Sequence, residues 1–224
     1  MKISVLIATR LGSKRVKKKS IKNFGHNNLT IIKLLQAKRV SIFDKLYFSS
    51  DSVKLNNYAK KIGYEIILRP KKYLGNSTIS KFAPFLAEKI SAKNICYLTN
   101  TSPLLLDRTI LNAVKIYKKL NKKKYDSVVT FEKCNQFLWN EKKPINYSVK
   151  NQPRSQDLKN IYIFNPALSI LSKKKLIELN NVCGKKPYKL IIDKPESIDI
   201  DTDHDFSFAE HIFKNNYQKD NNGL

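Results

Sequence analysis

Two short segments, one near each end of the chain, carry the residue types that bind phosphate groups and metal ions. The first follows an apolar run and reads Arg10-Leu11-Gly12-Ser13-Lys14-Arg15, with Lys19-Ser20 soon after it. Glycine permits close approach of the backbone, serine supplies a hydroxyl, and arginine and lysine neutralise phosphate oxygens. The spacing matches neither the P-loop nor the glycine pattern of dinucleotide-binding folds. The segment therefore indicates either a loop that wraps a triphosphate or a solvated basic turn.

The second segment is Ser197-Ile198-Asp199-Ile200-Asp201-Thr202-Asp203. In an extended backbone alternate side chains share a face, so Asp199 and Asp201 should point the same way. Two carboxylates at this spacing suit one Mg²⁺, which prefers hard oxygen ligands. Magnesium on a triphosphate neutralises charge and orients the reacting phosphorus. We therefore expect a magnesium ion at Asp199 and Asp201 to meet phosphates held by the first segment.

Two other interpretations of the second segment stay open at this point. Four acidic residues within 199–210 fall at positions 1, 3, 5 and 12 of a calcium-loop pattern, but His204 stands where that pattern requires glycine. Alternatively, Thr202 or Asp203 caps the last helix. Capping accounts for Asp203 and leaves the other two aspartates unexplained.

The elements that must position these segments alternate between short apolar runs and longer amphipathic stretches. We predict strands at residues 2–8, 45–49, 64–68, 94–98, 127–131, 162–170 and 190–193. We predict helices at residues 29–40, 53–62, 79–90, 107–120, 173–179 and 206–213. This alternation is typical of an α/β, Rossmann-like fold with a mostly parallel sheet and helices on both faces. Ligands of such sheets bind beyond the carboxyl ends of the strands, where the first segment begins.

Length and composition favour one domain. With 224 residues, 42% of them hydrophobic, the chain can bury a core without disulfides or structural metals. We expect a single domain over residues 1–213, a polar excursion for dimerisation at 132–165, and a tail at 214–224. Three cysteines without a C-x-x-C pair fit reduced thiols, and no apolar run reaches the roughly 20 residues that a membrane span needs. A cytoplasmic protein without membrane insertion is expected.

The formal net charge of +25 is compatible with binding to nucleic acid or to an anionic surface. Only six of the 43 basic residues are arginine, however, and specific phosphate and base recognition favours arginine. The lysines are typical of solvated surfaces, so we expect no nucleic-acid partner.

Together the two segments resemble the acylneuraminate cytidylyltransferases, the CMP-sialic acid synthetase family. The family's opening pattern I-P-A-R-x-G-S-K-R is similar to residues 7–15, and its closing pattern S-x-D-I-D-T-x-x-D-F-x-x-A-E recurs almost whole at residues 197–210. Between them the order of landmarks is also similar: Ser49-Ser50-Asp51, Leu68-Arg69-Pro70, Thr101-Ser102-Pro103-Leu104, Asp126-Ser127-Val128-Val129 and Arg154-Ser155-Gln156-Asp157-Leu158. The resemblance covers residues 1 to about 213.

The resemblance implies that the anomeric hydroxyl of a 2-keto sugar acid attacks the α-phosphorus of CTP, with magnesium, in a homodimer. It implies nucleotide binding by Arg10, Gly12, Ser13, Lys14, Lys19, Ser20, Arg69, Ser77, Thr78 and Ser80, the last four near the cytosine. It implies sugar binding by Thr99, Thr101, Ser102, Arg154 and Gln156. Catalytic roles would belong to Lys19, Arg10 and Asp201, with Lys19 stabilising transition-state charge. Metal binding would belong to Asp199 and Asp201.

Three positions depart from the family pattern. Ser20 replaces an asparagine, Thr99-Asn100 replaces Gln-Pro, and Asn165-Pro166 replaces Asn-Gly. The last two lie near the expected sugar pocket and leave open which nonulosonic acid is used. Two alternatives remain: the sister enzyme for the eight-carbon acid Kdo, whose first loop usually differs, and a catalytically silent basic scaffold that binds nucleic acid or a partner.

Overall fold

A computed structural model describes residues 1–13, 15–74 and 77–217. Its strands are β1 Ser4–Ala8, β2 Asn23–Phe24, β3 Asn27–Asn28, β4 Leu46–Ser49, β5 Glu65–Ile66, β6 Asn94–Leu98, β7 Ser127–Cys134, β8 Ile161–Ser172 and β9 Pro187–Ile191. Its helices are α1 Leu29–Val40, α2 Val53–Lys61, α3 Ile79–Lys89, α4 Asp107–Lys119, α5 Lys173–Leu179 and α6 Asp203–Ile212. No helix in this described part is long and apolar enough to cross a membrane.

Seven strands form one sheet in the order β5-β4-β1-β6-β8-β7-β9. Neighbouring strands run parallel except at β8, which is antiparallel to both β6 and β7. The predicted mostly parallel sheet is therefore confirmed. In register, Ile7 of β1 pairs with Phe48 of β4 and with Leu98 of β6. The carboxyl ends of these three strands consequently meet at one edge of the sheet.

Alternate residues of the central strands pack on opposite faces of the sheet, which is why both faces carry helices. Val5 and Ile7 belong to the core cluster formed with α1, α2 and α4, whereas Leu6 belongs to the cluster formed with α3 and α5. All three side chains are fully buried. Parallel strands covered on both sides require such continuous apolar runs.

A third apolar cluster lies outside the sheet and joins the two chemistry-bearing segments. Val16 of the first segment and Ile200 of the second are both fully buried in it, together with Phe24 and Phe206. The rings of Phe24 and Phe206 meet edge to face with centroids 5.3 Å apart. This cluster fixes the first loop against the start of α6.

The predicted elements are present, with different bounds at the sheet edge. The strand predicted at 64–68 shortens to Glu65–Ile66, and the strand predicted at 190–193 lies at Pro187–Ile191. Strands β7 and β8 run beyond their predicted ends, so residues 135–160 form the connection and the predicted start of the excursion at 132 was too early. The extension pairs Glu132 with Ile163 and Lys133 with Tyr162, and exposed ladder positions lack the apolar alternation that signals a strand.

The last helix begins at Asp203, three residues before its predicted start, and a π-helical turn at Phe213–Tyr217 follows it. That turn takes in the first residues of the predicted tail, while residues 218–224 lie outside the described part of the chain.

Candidate active site

A cavity of about 680 Å³ opens at the carboxyl ends of β1 and β6. The volume is typical of small-molecule sites, and the position is the one that open α/β sheets use. Its lining comes from the first loop, the segment before and at the start of α3, the loop after β6, and the second segment. The lining residues are Ala8, Thr9, Arg10, Ser13, Arg15, Lys19, Ser20, Arg69, Tyr73, Ser77, Thr78, Ile79, Phe82, Thr99, Asn100, Thr101 and Asp201.

Hydrogen bonds to neighbouring strands and turns hold the first loop in shape. The Leu11 amide donates to Asp51 Oδ1 at 2.9 Å, and the Ser20 hydroxyl donates to the Arg10 carbonyl at 3.1 Å. A Cβ built at Gly12 would meet no protein atom within 4 Å. The backbone at Gly12 is exposed, and the space beside it holds no atom of the described residues.

The ammonium of Lys19 lies between the first loop and the second segment. It donates to the Ile200 carbonyl, and its Nζ is 3.6 Å from Asp201 Oδ1, which Arg15 also contacts at 2.8 Å. Its side chain is only 11% exposed. Burial lowers the pKa of Lys19 from its ordinary value, against the opposing charges of Asp199 and Asp201. Lys19 is thus a desolvated cation with one end at the cavity wall.

The two aspartates lie on the same side of their segment, as the alternation predicts. Ile198, which precedes Asp199, and Ile200, which lies between the two aspartates, are buried in the third apolar cluster. Both carboxylates act electrostatically on Lys19. Burial raises the pKa of Asp199, while hydrogen bonds from Thr101 and Ser102 work in the opposite direction. The Ser102 hydroxyl lies 3.4 Å from Asp199 Oδ1. Asp199 therefore stands directly behind the cavity wall and Asp201 in it.

The donor set suits a hard divalent cation that also binds phosphate. Two adjacent carboxylates are oxygen ligands of the kind that Mg²⁺ takes, and Mg²⁺ commonly completes its shell with substrate phosphates and water. Within the described residues no three histidine, cysteine or acidic side chains converge on one point. A cation here would therefore depend on a nucleotide for further ligands.

The calcium-loop interpretation of the second segment is wrong. Glu210 accepts a hydrogen bond from the Gly25 amide at 2.9 Å, and Asp203 pairs with Lys22 at 3.1 Å, so neither turns toward Asp199. The capping interpretation is confirmed for Thr202. Its side chain and that of Asp205 form a reciprocal capping box at the start of α6.

The opposite wall of the cavity holds polar atoms that lack a protein partner. The guanidinium of Arg69, 9% exposed, donates to the Thr9 carbonyl and lies 5.0 Å above the ring of Phe82. Its Nε and the Ser77 hydroxyl are buried and have no hydrogen-bond partner among the residues that the structure describes. Burial also lowers the pKa of Arg69 from its ordinary value. Because Arg69 and Ser77 line the cavity, these two donors are available to a ligand bound there.

The cavity brings together ten of the predicted site residues: Arg10, Ser13, Lys19, Ser20, Arg69, Ser77, Thr78, Thr99, Thr101 and Asp201. Gly12, Ser80, Ser102 and Asp199 do not line it, and Ser102 is fully buried. Lys14 lies outside the described residues. Arg154 and Gln156 are also absent from its lining, on an exposed turn where Arg154 Nε contacts Asp157 Oδ2 at 2.8 Å. A single chain therefore does not bring these two residues to the cavity.

Sequence reasoning assigned no role to Arg15, Tyr73 or Phe82. Arg15 was visible in the motif, but its contact with Asp201 spans 186 positions and follows only from the fold. Phe82 lies on α3 at helical spacing, a pattern that equally indicates a core residue. Only its contact with Arg69 distinguishes it.

A mostly parallel α/β sheet with a basic loop and paired aspartates around a nucleotide-sized cavity defines a nucleotidyltransferase. The chain belongs to the cytidylyltransferase family, whose profile matches residues 4–222. The family predicted from the sequence motifs is thereby confirmed.

Two relatives of this chain are named as cytidylyltransferases of pseudaminic acid and of N-acylneuraminate. The pseudaminic acid cytidylyltransferase of Campylobacter jejuni is 28% identical over 231 residues, which covers 97% of this chain and 99% of that protein. The N-acylneuraminate cytidylyltransferase A of Danio rerio is 29% identical over 220 residues, which covers 93% of this chain. This chain spans only 50% of the length of the fish protein.

The fold is also shared with the solved structure of CMP:2-keto-3-deoxy-manno-octonic acid synthetase complexed with CTP. The two superpose with a TM-score of 0.66 at 10% identity, over 95% of this chain and 98% of that one. At this identity the similarity concerns the fold alone.

Proposed function

We propose that this protein transfers CMP from CTP to the anomeric hydroxyl of a nonulosonic, sialic-acid-like sugar acid, with magnesium and with release of pyrophosphate. The observation that carries the proposal is the position of Lys19. Its buried ammonium lies 3.6 Å from Asp201 at the wall of a cavity that the first loop also lines. A catalytically silent scaffold would have no need of a desolvated lysine and two carboxylates facing a basic loop.

The triphosphate would lie along the first loop. Arg10, Ser13 and Lys19 supply charge and hydrogen bonds to its oxygens, and Lys19 stabilises the negative charge that develops as the bond between the α-phosphorus and the leaving pyrophosphate breaks. Because Lys19 is fixed by the Ile200 carbonyl before the reaction begins, little reorganisation is required of it. Asp199 and Asp201 would hold the magnesium ion. When bound, that ion neutralises phosphate charge and orients the α-phosphorus for attack.

The cytosine base would face Arg69, Ser77 and Thr78. Cytosine presents oxygen and nitrogen acceptors on its pairing edge, and the unpartnered Arg69 Nε and Ser77 hydroxyl are donors that could reach such acceptors. Pairing them with the base would satisfy two buried polar groups at once.

The sugar acid would lie on the side of Thr99 and Thr101, whereas Ser102 is buried behind them. The relatives are named for pseudaminic acid and N-acylneuraminate, which are both nonulosonic acids, and this favours the same substrate class here. An arginine fork suits the carboxylate of such a sugar, which is the role proposed for Arg154 beside Gln156.

We propose a homodimer because Arg154 is remote from the cavity of its own chain and because the excursion carries exposed apolar side chains. Phe137, Trp139, Ile145 and Val149 are 38 to 67% exposed within the connection 135–160. Apolar patches of this kind mark interaction surfaces. A second copy would cover the patch and could bring Arg154 to the neighbouring site. We place the enzyme in the cytoplasm, where CTP is available.

The test is pyrophosphate release from CTP and Mg²⁺ with a panel of nonulosonic acids and Kdo. We expect release with a nonulosonic acid and a loss of at least about 100-fold in Asp201→Ala, in line with losses of transition-state charge stabilisation. Asp203→Ala is the matched control, because Asp203 pairs with Lys22 outside the cavity. Turnover with Kdo alone would identify the sister activity. Absence of both turnover and CTP binding would refute the proposal and favour the scaffold.

A further inference from the structure

A lysine without solvent contact lies inside the fold on α1. Lys33 is 0% exposed, and its ammonium donates to Gln36 Oε1 at 2.6 Å and to the Ser102 carbonyl at 2.9 Å. Both acceptors are uncharged. Burying an ammonium group with neutral partners is costly, and the neighbouring residue Leu34 shows that this part of α1 packs apolar side chains. Packing alone therefore does not explain why a lysine occupies position 33.

Lys33 belongs to a polar network through which α1 holds the loop that follows β6. Gln36 donates to the Leu105 carbonyl at 2.5 Å and to Asp107 Oδ1 at 2.9 Å. Arg39 contacts both carboxylate oxygens of Asp107, at 2.8 and 3.0 Å. Gln36 and Arg39 therefore hold the end of the loop, at Leu105 and Asp107. Of the three side chains, Lys33 is the one that holds the part nearer the cavity, at Ser102.

The residue that Lys33 holds contacts the second segment. The hydroxyl of Ser102 lies 3.4 Å from Asp199 Oδ1 and 3.3 Å from Thr99 Oγ1. One residue earlier, the Thr101 carbonyl accepts a hydrogen bond from the Ile200 amide at 2.8 Å. The loop 99–102 is thus the surface against which the aspartate pair rests, and the Lys33 ammonium fixes that surface from behind.

We propose that Lys33 is a positioning residue for the aspartate pair: by fixing Ser102 it holds Asp199 in the orientation that binds the divalent cation together with CTP. The inference rests on the proposed function of Asp199 and Asp201 as metal ligands. The charged groups that act on Lys33 are Asp107, Arg39 and Glu196, with the Cys96 thiol also nearby. None of these groups lines the cavity as described. The connection from Lys33 to Asp199 therefore runs through Ser102, which contacts both residues.

The experiment compares CTP binding by calorimetry in the presence and absence of Mg²⁺ for the full chain, Lys33→Met, and Lys38→Met. Methionine keeps the length of the side chain without its hydrogen-bond donors, and Lys38 is an exposed lysine of the same helix. We expect Lys33→Met to bind CTP without Mg²⁺ as the parent does. The Mg²⁺-dependent gain in CTP affinity should fall about tenfold, the usual effect of losing a group that orients a metal ligand. Lys38→Met should match the parent in both conditions.

Ser102→Ala and the double variant separate positioning from a general role in folding. If Lys33 acts through Ser102, each single variant lowers the Mg²⁺-dependent gain, and the double variant loses no more than the larger single loss. Additive losses, an unchanged Mg²⁺ dependence in Lys33→Met, or equal loss of CTP binding with and without Mg²⁺ would each overturn the inference. Should Lys33→Met fail to fold, Ser102→Ala still decides, because an unaltered Mg²⁺ dependence there breaks the proposed connection.

The binding readout keeps this inference separate from the proposed sugar chemistry. Failure of every sugar to react would count against the proposed substrate and leave the CTP and Mg²⁺ measurements interpretable. Conversely, normal turnover with an unchanged Mg²⁺ dependence in Lys33→Met would refute the positioning role and leave the proposed function standing.

Discussion

Burial of Lys33 predicts a specific dependence of stability on pH. Burial lowers the pKa of Lys33 to about 7, whereas its ordinary value is 10.5, and the charge of Asp107 offsets only part of this effect. Between these two pH values the unfolded chain keeps the side chain protonated while the folded protein loses the proton. The unfolded state then binds more protons, so the free energy of unfolding rises with pH. Below about pH 7 both states are charged and the penalty for burial is complete.

The size of the effect follows from the same two pKa values. Raising the pH from about 7 to about 9.5 should increase the free energy of unfolding by about 3 kcal/mol through Lys33. In Lys33→Met this contribution is absent. The loss of the ammonium also leaves the Ser102 carbonyl and Gln36 Oε1 without their donor, at a cost of about 1 to 3 kcal/mol each that does not vary with pH.

The assay is urea unfolding of the parent, Lys33→Met and Lys38→Met at several pH values in this range. The difference between the parent and Lys33→Met should change by about 3 kcal/mol in favour of the parent as the pH rises. Other groups that titrate in this range are common to both proteins and cancel in the difference. Lys38→Met should run parallel to the parent. Parallel curves for the parent and Lys33→Met would show that Lys33 is not held neutral and would refute the reasoning.

Three further predictions concern the base, the helix cap and the excursion. Arg69→Lys should raise the KM for CTP about tenfold with little change in the Mg²⁺ requirement, because lysine lacks the planar guanidinium fork that stacks on Phe82. Steady-state kinetics test this prediction, and a loss confined to kcat would contradict it. Thr202→Ala should lower the free energy of unfolding by about 1 kcal/mol through loss of the capping box, measured as the urea midpoint, and an unchanged midpoint would contradict it. Trp139→Ser, at a side chain 56% exposed, should shift the sedimentation velocity profile from dimer toward monomer, whereas a parent that is already monomeric would refute the proposed interface.

Local pattern predicted the elements wherever one face is buried. Helix α1 was predicted with its observed bounds because apolar residues recur at helical spacing over 29–40. In the structure the Asn28 side chain caps its first turn. The strand extension at Glu132 and Lys133 escaped prediction because exposed ladder positions impose no apolar alternation. Pairing between β7 and β8 joins residues about 30 positions apart in the chain, and the local sequence does not encode it.

The candidate site could be predicted where the motif residues themselves face the ligand. Lys19, Asp201 and Arg69 all line the cavity. Lys19 and Arg69 belong to loops that follow predicted strands, and Asp201 belongs to the alternating Asp-x-Asp pattern. The contribution of Lys33 could not be predicted, since a lysine within an apolar helical pattern is ordinarily placed on the surface. Its role depends on the Ser102 carbonyl, 69 positions away in the sequence.

The apolar residues of the second segment explain why its carboxylates can act together with a loop so distant in the chain. Ile198 and Ile200 are 8% and 0% exposed and pack with Val16 and Phe206 in the third apolar cluster. Because alternate residues are buried, Asp199 and Asp201 must both turn toward Lys19. A one-residue shift of this segment would bury the carboxylates and expose the isoleucines, at a cost of several kcal/mol for the charges alone. Packing of the isoleucines therefore sets the orientation of the acidic pair, and the Ile-Asp alternation is as much a part of the site as the aspartates are.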